Sequence, residues 1–209
     1  MKMRPVKSRS RETGSKSPAL QFHPLTPQRW PDFESLFGER GACGGCWCMW
    51  WRLTSREFEA QKGEANRKAM KRIVEARHVP GILAYHKKQP VGWCAVAPRD
   101  EFPRLERSRI LRPVDDKPVW SVVCLFVEKG YRNRGVATRL LRAAVDHVRR
   151  KGGKIVEGYA VEPRRGRLPD AFAYHGPAES YRQAGFKEVA RRSETRPIMR
   201  YTIRRRSAG

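Results

Sequence analysis

The turn from Arg132 to Ala137 has the residue types that phosphate binding needs. It follows a long apolar run and precedes a stretch with helical periodicity, so the first amides of that helix are expected to lack internal partners. Those amides carry the positive end of the helix dipole. Gly135 and Ala137 keep side-chain bulk away from the backbone, and Arg132 and Arg134 add positive charge. The spacing therefore predicts a pyrophosphate site.

Two other phosphate-binding loops are excluded by the same residues. The turn has no Gly-Lys-Ser/Thr after a four-residue gap, as a Walker A loop requires. It also lacks the G-x-G-x-x-G pattern of dinucleotide-binding folds.

The elements on either side of the turn have strong signatures. The segment from Val119 to Val127 reads VWSVVCLFV and is apolar on both alternating faces, which is typical of a central strand covered on both sides. From residue 135 to 151, apolar residues recur every three to four positions, and Gly152-Gly153 then ends the pattern. The sequence thus predicts a buried strand that leads through the turn into an amphipathic helix.

The remaining segments predict a mixed α/β plan without internal repeats. Thr26-Pro27 and the capping box at residues 54–57 each predict the start of a helix. Further strands are predicted at 21–25, 82–85, 91–97, 155–161, 186–190 and 199–203, and further helices up to about residue 78, at 105–111 and at 179–184.

The turn resembles the signature of the GNAT superfamily of N-acetyltransferases. That signature is Gln/Arg-x-x-Gly-x-Gly/Ala between the fourth strand and the next helix, and here it reads Arg132-Asn133-Arg134-Gly135-Val136-Ala137. Members often carry a Tyr four residues before a Gly-Phe pair, as in Tyr181-Arg182-Gln183-Ala184-Gly185-Phe186. The stretches CWCMWWR, PGILAY, GWCAVAPR and VEGYAVEP look like a bacterial branch of that superfamily. The resemblance covers about residues 21–204 and indicates no particular acceptor.

The resemblance implies an α/β (mixed α+β) GNAT fold, with a central, mostly antiparallel twisted sheet of six to seven strands flanked by helices. It implies acetyl-CoA as co-substrate and direct attack of an amine on the thioester, whose carbonyl group meets a backbone amide. One domain is expected over residues 19–206, after a disordered basic arm at 1–18. The residues expected to bind the cofactor are Leu125, Phe126, Val127, Arg132, Asn133, Arg134, Gly135, Val136, Ala137 and Thr138.

The reaction that the resemblance implies sets two proton-transfer tasks. An alkylammonium must lose a proton before it attacks, and the departing thiolate gains from receiving one. The motif position makes Tyr181 the expected acid, with a hydrogen-bonded core tyrosine as the alternative. Glu157 is expected as the general base, and Glu162, His175 and Glu179 are further candidates. For each of these, a surface salt bridge is the competing interpretation.

The five cysteines indicate reduced thiols and a cytoplasmic protein. Three thiols lie close together in the chain at Cys43, Cys46 and Cys48, and the first two form a Cys-x-x-Cys pattern, which is half of a zinc site. No second Cys-x-x-Cys follows, so no metal is predicted. Packing beside the nearby tryptophans, as a hydrophobic wall near the acceptor cleft, is the preferred interpretation. Cys94 and Cys124 are expected to be buried and inert, with Cys124 as an acyl-carrying nucleophile the alternative.

The net charge of +24 is extreme and is not confined to the arm. Residues 1–18 carry +5, which leaves +19 on the rest. Such a charge attracts anions and disfavours a polycationic acceptor. The leading hypothesis is an N-acetyltransferase acting on an unidentified amine, which a protein or RNA could carry. The alternative is a nucleic-acid-binding module with little or no catalysis, suggested by basic clusters at 149–151, 164–167 and 204–206. The sequence contains no run of 18 apolar residues, so no membrane helix is predicted.

Overall fold

Seven strands form one sheet in the computed structural model, which describes residues 19–162 and 174–204. The strands are β1 (Leu20–Pro24), β2 (Gly81–His86), β3 (Gln89–Pro98), β4 (Trp120–Val127), β5 (Ile155–Tyr159), β6 (Lys187–Arg191) and β7 (Pro197–Thr202). Their order is β1-β2-β3-β4-β5-β7-β6, and every neighbouring pair is antiparallel except β4–β5. The mixed α/β class and the mostly antiparallel sheet are confirmed.

Helices cover both faces of the sheet. They are α1 (Trp30–Phe37), α2 (Ser55–Gln61), α3 (Glu64–Glu75), α4 (Pro103–Glu106), α5 (Val136–Arg150) and α6 (Ala178–Gln183). The predicted capping box starts α2, because Glu57 N donates to Thr54 Oγ1 at 3.3 Å and Thr54 N donates to Glu57 Oε2 at 2.7 Å. Thr26 caps nothing with its side chain. A 3₁₀ turn follows it, and α1 begins later than predicted, at Trp30.

The central strand β4 divides the core into two halves. Val122 and Leu125 face α5, where they belong to the same buried cluster as Leu140. Val123 faces the other way, into the cluster that contains Trp93 and the aromatic side chains of α1. Both faces of β4 are therefore covered, which explains why its sequence is apolar at nearly every position.

β4 and β5 separate beside the predicted phosphate turn. They pair in parallel only from Trp120–Val156 to Val122–Gly158, and from residue 123 onward this edge of β4 has no strand partner in the described ranges. The segment after residue 174 joins the end of β5 instead, because Val161 N donates to Gly176 O at 3.0 Å. The wedge between the two strands thus opens toward residues 128–138.

Some predicted boundaries differ from the observed ones. The helix predicted at 105–111 is the shorter α4, and β5 ends at Tyr159 because Val161 forms an isolated bridge with Pro177. The predicted arm at 1–18 and most of the loop before residue 174 lie outside the described residues. In the ranges 19–162 and 174–204, no helix combines the length and apolarity needed to cross a bilayer.

Candidate active site

Side chains of the turn between β4 and α5 hold its backbone in place, and the space beside Gly135 is open. The Glu128 carboxylate accepts a hydrogen bond from Gly130 N at 2.9 Å, and Arg132 Nε donates to Val127 O at 3.1 Å. Asn133 and Gly135 have positive φ values of 60° and 73°. A Cβ added at Gly135 would meet no atom within 4 Å. Space for a ligand is therefore available at this point of the backbone.

The amides at the end of this turn and the start of α5, from residue 133 to 138, have no acceptor within the described part of the chain. No backbone N–H from Asn133 to Thr138 donates to a described residue, and the first bonded amide is Arg139 N, which reaches Gly135 O at 3.1 Å. The first turn of α5 has no acidic side chain, and Gly135 provides no side-chain cap. Unpaired amides with neighbouring arginines at a helix N-terminus form an anion-binding surface.

The three strand residues predicted to meet the thioester end β4 just before this turn. Leu125 is buried, and Gly176 approaches it so closely that a Cβ at position 176 would lie 2.6 Å from its Cδ1. Phe126 and Val127 are partly exposed. All three lie on the part of β4 that no longer pairs with β5. Their predicted contact with the thioester remains a prediction.

Tyr181 lies in the wedge between β4 and β5. Its side chain is 1% exposed, and its hydroxyl donates to His175 O at 3.1 Å. Burial raises the pKa of this phenol well above its ordinary value, so the group keeps its proton at neutral pH. Its role as proton donor stays a prediction, since a core tyrosine makes the same contacts.

Glu157 is fully buried inside a polar network. One carboxylate oxygen accepts from Arg99 Nη1 at 3.2 Å and from Tyr159 OH at 2.8 Å, and the other accepts from Arg200 Nε at 2.6 Å. Arg200 in turn binds Asp115. A carboxylate that is inaccessible and bonded on both oxygens is poorly placed to take a proton from a substrate. This geometry gives Glu157 a structural position and disfavours the predicted role as base.

His175 is equally ill suited to act as a base. Arg196 Nη2 lies 3.2 Å from His175 Nε2, and a guanidinium can only donate, so Nε2 must be the acceptor. Burial, together with Arg196, lowers the pKa of His175 well below its ordinary value. Its remaining hydrogen then sits on Nδ1, which is buried without a partner in the described ranges.

The two remaining base candidates lie on the surface side of α6. Glu162 is held by Arg182 at 2.5 Å and by Arg191 at 2.6 Å, and these hydrogen bonds lower the pKa of its carboxyl group. Glu179 is exposed and accepts from Gln183 Nε2 at 3.1 Å. Neither residue lines the cavity described next.

A cavity of about 220 Å³ lies on the side of β4 that faces away from α5. Eleven described residues line it: six are aromatic, four are cysteines and one is alanine. They are Phe37, Ala42, Cys43, Cys46, Cys48, Trp50, Trp51, Phe58, Cys124, Phe126 and Tyr174. The cysteine-rich loop thus forms an apolar wall against β4, as the sequence suggested.

The thiols of Cys46 and Cys124 have raised pKa values, whereas a hydrogen bond with Cys124 lowers the pKa of Cys48. Trp93 Nε1 donates to Cys48 Sγ at 3.2 Å, and burial raises the pKa of Cys46 to about 11. A hydrogen bond with Cys48, together with burial, raises the pKa of Cys124, which disfavours its alternative role as a nucleophile. In the ranges that the structure describes, no three His, Cys, Asp or Glu side chains are arranged to hold a metal ion.

The basic clusters that suggested nucleic-acid binding are only partly described. Arg149 and Arg150 end α5, and Arg149 forms an ion pair with Asp146. The cluster at 164–167 and residues 205–206 lie outside the described ranges.

Residues 47–165 match the model of the Acetyltransferase (GNAT) family, which spans more than half of the chain. The chain therefore belongs to the GNAT acetyltransferase family. A comparison with curated protein sequences gave no significant match.

Solved structures share the fold at low sequence identity. A GNAT-family acetyltransferase from Listeria monocytogenes is 8% identical, with a TM-score of 0.53 over 88% of this chain and 95% of the other. YncA from Salmonella typhimurium, solved with its cofactor acetyl-CoA, is 11% identical, with a TM-score of 0.52 over 91% and 97% of the two chains. The PaiA N-acetyltransferase from Thermoplasma acidophilum, solved with coenzyme A, is 12% identical, with a TM-score of 0.50 over 88% and 99%.

Proposed function

We propose that this protein transfers the acetyl group of acetyl-CoA to the nitrogen of an amine. The observation that carries the proposal is the run of amides from Asn133 to Thr138, which have no partner among residues 19–162 and 174–204 and lie at the N-terminus of α5 beside Arg134. It gives a diphosphate several donors and the positive end of a 15-residue helix. Family membership, the coenzyme A bound to PaiA and the acetyl-CoA bound to YncA support the same ligand.

The proposed roles follow the chain from β4 into α5. The amides of residues 133–138 bind the diphosphate, and the free edge of β4 at 125–127 orients the thioester carbonyl group. Acetyl-CoA supplies an acetyl group that is activated by its bond to sulfur. The nitrogen–acetyl bond forms as the carbon–sulfur bond breaks, and one proton passes from the nitrogen to the sulfur. Tyr181 is the proposed relay: its hydroxyl proton, which bonds to His175 O, goes to the sulfur, and the proton that leaves the nitrogen restores the phenol.

Two glycines with similar backbones allow a matched test of coenzyme A binding. Gly135 precedes α5 with φ of 73°, Gly152 follows it with φ of 79°, and neither has an atom within 4 Å of an added Cβ. Gly135→Glu and Gly152→Glu therefore carry similar backbone strain and the same charge. Only Gly135→Glu places that charge at the proposed diphosphate site.

The readout is the melting temperature with and without acetyl-CoA. At a ligand concentration one hundred times Kd, binding stabilises the folded state by about 2.7 kcal/mol. For a chain of this size this raises Tm by roughly 5–10 °C. We expect that shift in the wild type and in Gly152→Glu, and its loss in Gly135→Glu. Equal shifts in both variants, or no shift in the wild type, would contradict the proposal.

A further inference from the structure

The cavity on the α1 side of β4 adjoins the backbone that the proposed function assigns to the thioester. Cys124 and Phe126 line the cavity, and in the chain they flank Leu125. β3 pairs with one edge of β4 at these residues, but β5 leaves the other edge free in the described ranges, so a molecule in the cavity would lie near that free edge. The amine of a bound acceptor would then be next to the acetyl group.

The described lining of this cavity contains no group that could neutralise an ammonium ion. None of the eleven residues is Asp, Glu, His, Lys or Arg. An ammonium that entered would lose part of its hydration and gain only cation–π contacts with the rings, without a carboxylate partner, which is unfavourable. The volume of about 220 Å³ is ample for one aromatic ring with a short substituent, since an apolar cavity of about 150 Å³ binds benzene.

Arginine side chains beside the wall add to this selection against positive charge. The Arg104 guanidinium lies 3.7 Å above the ring of Trp50, which lines the cavity. Arg104 Nη2 is buried and has no partner in the described ranges. Arg52 Nη2, from the residue beside Trp51, is likewise buried and unpaired. Arg52 pairs with Glu101 at 2.5 Å, which offsets its charge, so the guanidinium that repels an ammonium here is that of Arg104.

Arg196 is a further arginine close to the wall. Arg196 Nε is buried and unpaired in the described ranges, and Arg196 also bonds to His175. The His175 ring lies 5.6 Å from the Trp51 ring and 4.2 Å from the Tyr174 ring, and both of these line the cavity. Arg104 and Arg196 therefore place positive charge beside a cavity whose described lining is uncharged.

We infer that the acceptor is an apolar amine that is uncharged at neutral pH, of the class whose NH₂ group is attached directly to an aromatic ring. The inference rests on the proposed acetyl transfer. Delocalisation of the nitrogen lone pair into the ring keeps such an amine unprotonated, whereas an alkylamine with a pKa near ~10.4 is neutral in only about one molecule in 2,500 at pH 7. An uncharged amine needs no base before it attacks. This agrees with the poor placement of Glu157, Glu162 and His175 for that task.

The test compares three amines with the full-length protein and acetyl-CoA near neutral pH. Aniline, benzylamine and spermidine are the probes, and the initial rate of coenzyme A release gives kcat/KM for each. We expect kcat/KM for aniline to exceed that for benzylamine by about tenfold or more and no measurable release with spermidine. A benzylamine or spermidine value equal to or above that of aniline would overturn the inference.

The contribution of the surrounding charge is tested at Arg104. Arg104→Gln removes the charge but keeps hydrogen-bond donors near Leu53 O, which Arg104 Nε contacts at 3.1 Å. We expect this variant to reduce the preference for aniline over benzylamine severalfold, and Arg104→Lys to retain the wild-type preference. An unchanged ratio in Arg104→Gln, with a normal melting curve, would contradict the electrostatic part of the inference.

A binding experiment separates this inference from the proposed function. Aniline and benzylamine are titrated without acetyl-CoA, and quenching of tryptophan fluorescence reports the cavity through Trp50 and Trp51. Tighter binding of aniline supports the inference even if acetyl-CoA fails to stabilise the protein. That failure would contradict only the proposed function. Tighter binding of benzylamine, or binding of neither amine, would overturn the inference whatever acetyl-CoA does.

Discussion

The ring of Tyr181 lies directly against the backbone of Gly158, where a Cβ atom would stand 2.2 Å from Tyr181 Cε1. Gly158 is the last residue of β5 that pairs with β4. The absence of a side chain at position 158 thus lets α6 bring its tyrosine into the wedge between the two strands. The position of this phenol depends on a glycine that lies 23 residues earlier in the chain.

Gly158→Ala should therefore disturb activity beyond its effect on folding. Gly153→Ala is the matched control, because its Cβ would also clash, at 2.4 Å from Val148 Cγ1, but at the far end of α5. Each substitution should cost about 1–3 kcal/mol of stability. Only Gly158→Ala should reduce kcat per folded molecule, by about tenfold or more. Urea melts and coenzyme A release measure the two effects, and equal kcat values would contradict this expectation.

Tyr181→Phe tests the proposed proton donor. Loss of the hydroxyl should lower kcat by about 10²-fold or more if the phenol protonates sulfur. It should also cost about 1–3 kcal/mol, because His175 O loses its donor. Burial raises the pKa of Tyr181, so the protonated donor persists and the wild-type rate should not fall near pH 10 as that of an ordinary tyrosine would. A variant that loses stability but keeps kcat identifies a core tyrosine.

The sequence predicted the β4–turn–α5 unit because its signals are local. The apolar run at 119–127, the glycine at 135 and the spacing of Leu140, Ala144 and Val148 each depend on neighbouring residues, and those three side chains are fully buried. The order of the strands along the chain was predicted in the same way, from runs and turns.

The environment of Glu157 could not be predicted in that way. Its partners Arg99 and Arg200 are 58 and 43 residues away, and their alignment depends on the pairing of β5 with its neighbours. The backbone path of the cysteine-rich loop could not be predicted either, because Trp47 and Cys48 take positive φ values that residues other than glycine rarely adopt. The sequence did hold one clue, because Glu157 is a charged residue inside a segment with the pattern of a buried strand. A buried charge of this kind more often belongs to a satisfied hydrogen-bond network than acts as a free base.

Glu157→Gln distinguishes a structural carboxylate from a catalytic one. The substitution removes the charge that pairs with Arg99 and Arg200, and breaking a buried pair costs about 3–5 kcal/mol. Asp115→Asn should cost less, because the Asp115 side chain is 36% exposed. We expect Glu157→Gln to lower stability strongly while kcat per folded molecule changes little. Wild-type stability with a large loss of kcat would restore Glu157 as the base.

His147 should make the protein less stable in acid. Burial, with Arg150 and Lys151, lowers its pKa to about 4, whereas the unfolded chain titrates near ~6.5. Between these values the unfolded state binds more protons, so the stabilising contribution is present above about pH 6.5 and is lost as pH falls toward 4. The free energy of unfolding then changes by at most about 1.4 kcal/mol per pH unit through this group.

Urea melts from neutral pH to about pH 5 should show a smaller dependence of the free energy of unfolding on pH in His147→Gln. An identical slope would count against this assignment.

Cys43 should be the most reactive thiol of the cavity wall. It is exposed, whereas burial raises the pKa of Cys46 to about 11 and that of Cys94 further still. Because only the thiolate reacts, roughly one molecule in a thousand carries a reactive Cys46 at pH 8. Iodoacetamide should therefore modify Cys43 first, as peptide mass spectrometry would detect, and Cys43→Ser should lose the fast phase of labelling.

Since Cys43 lines the cavity, aniline should slow its modification in proportion to occupancy. Faster labelling of Cys46, or no protection by aniline at a concentration that quenches tryptophan fluorescence, would place the amine elsewhere.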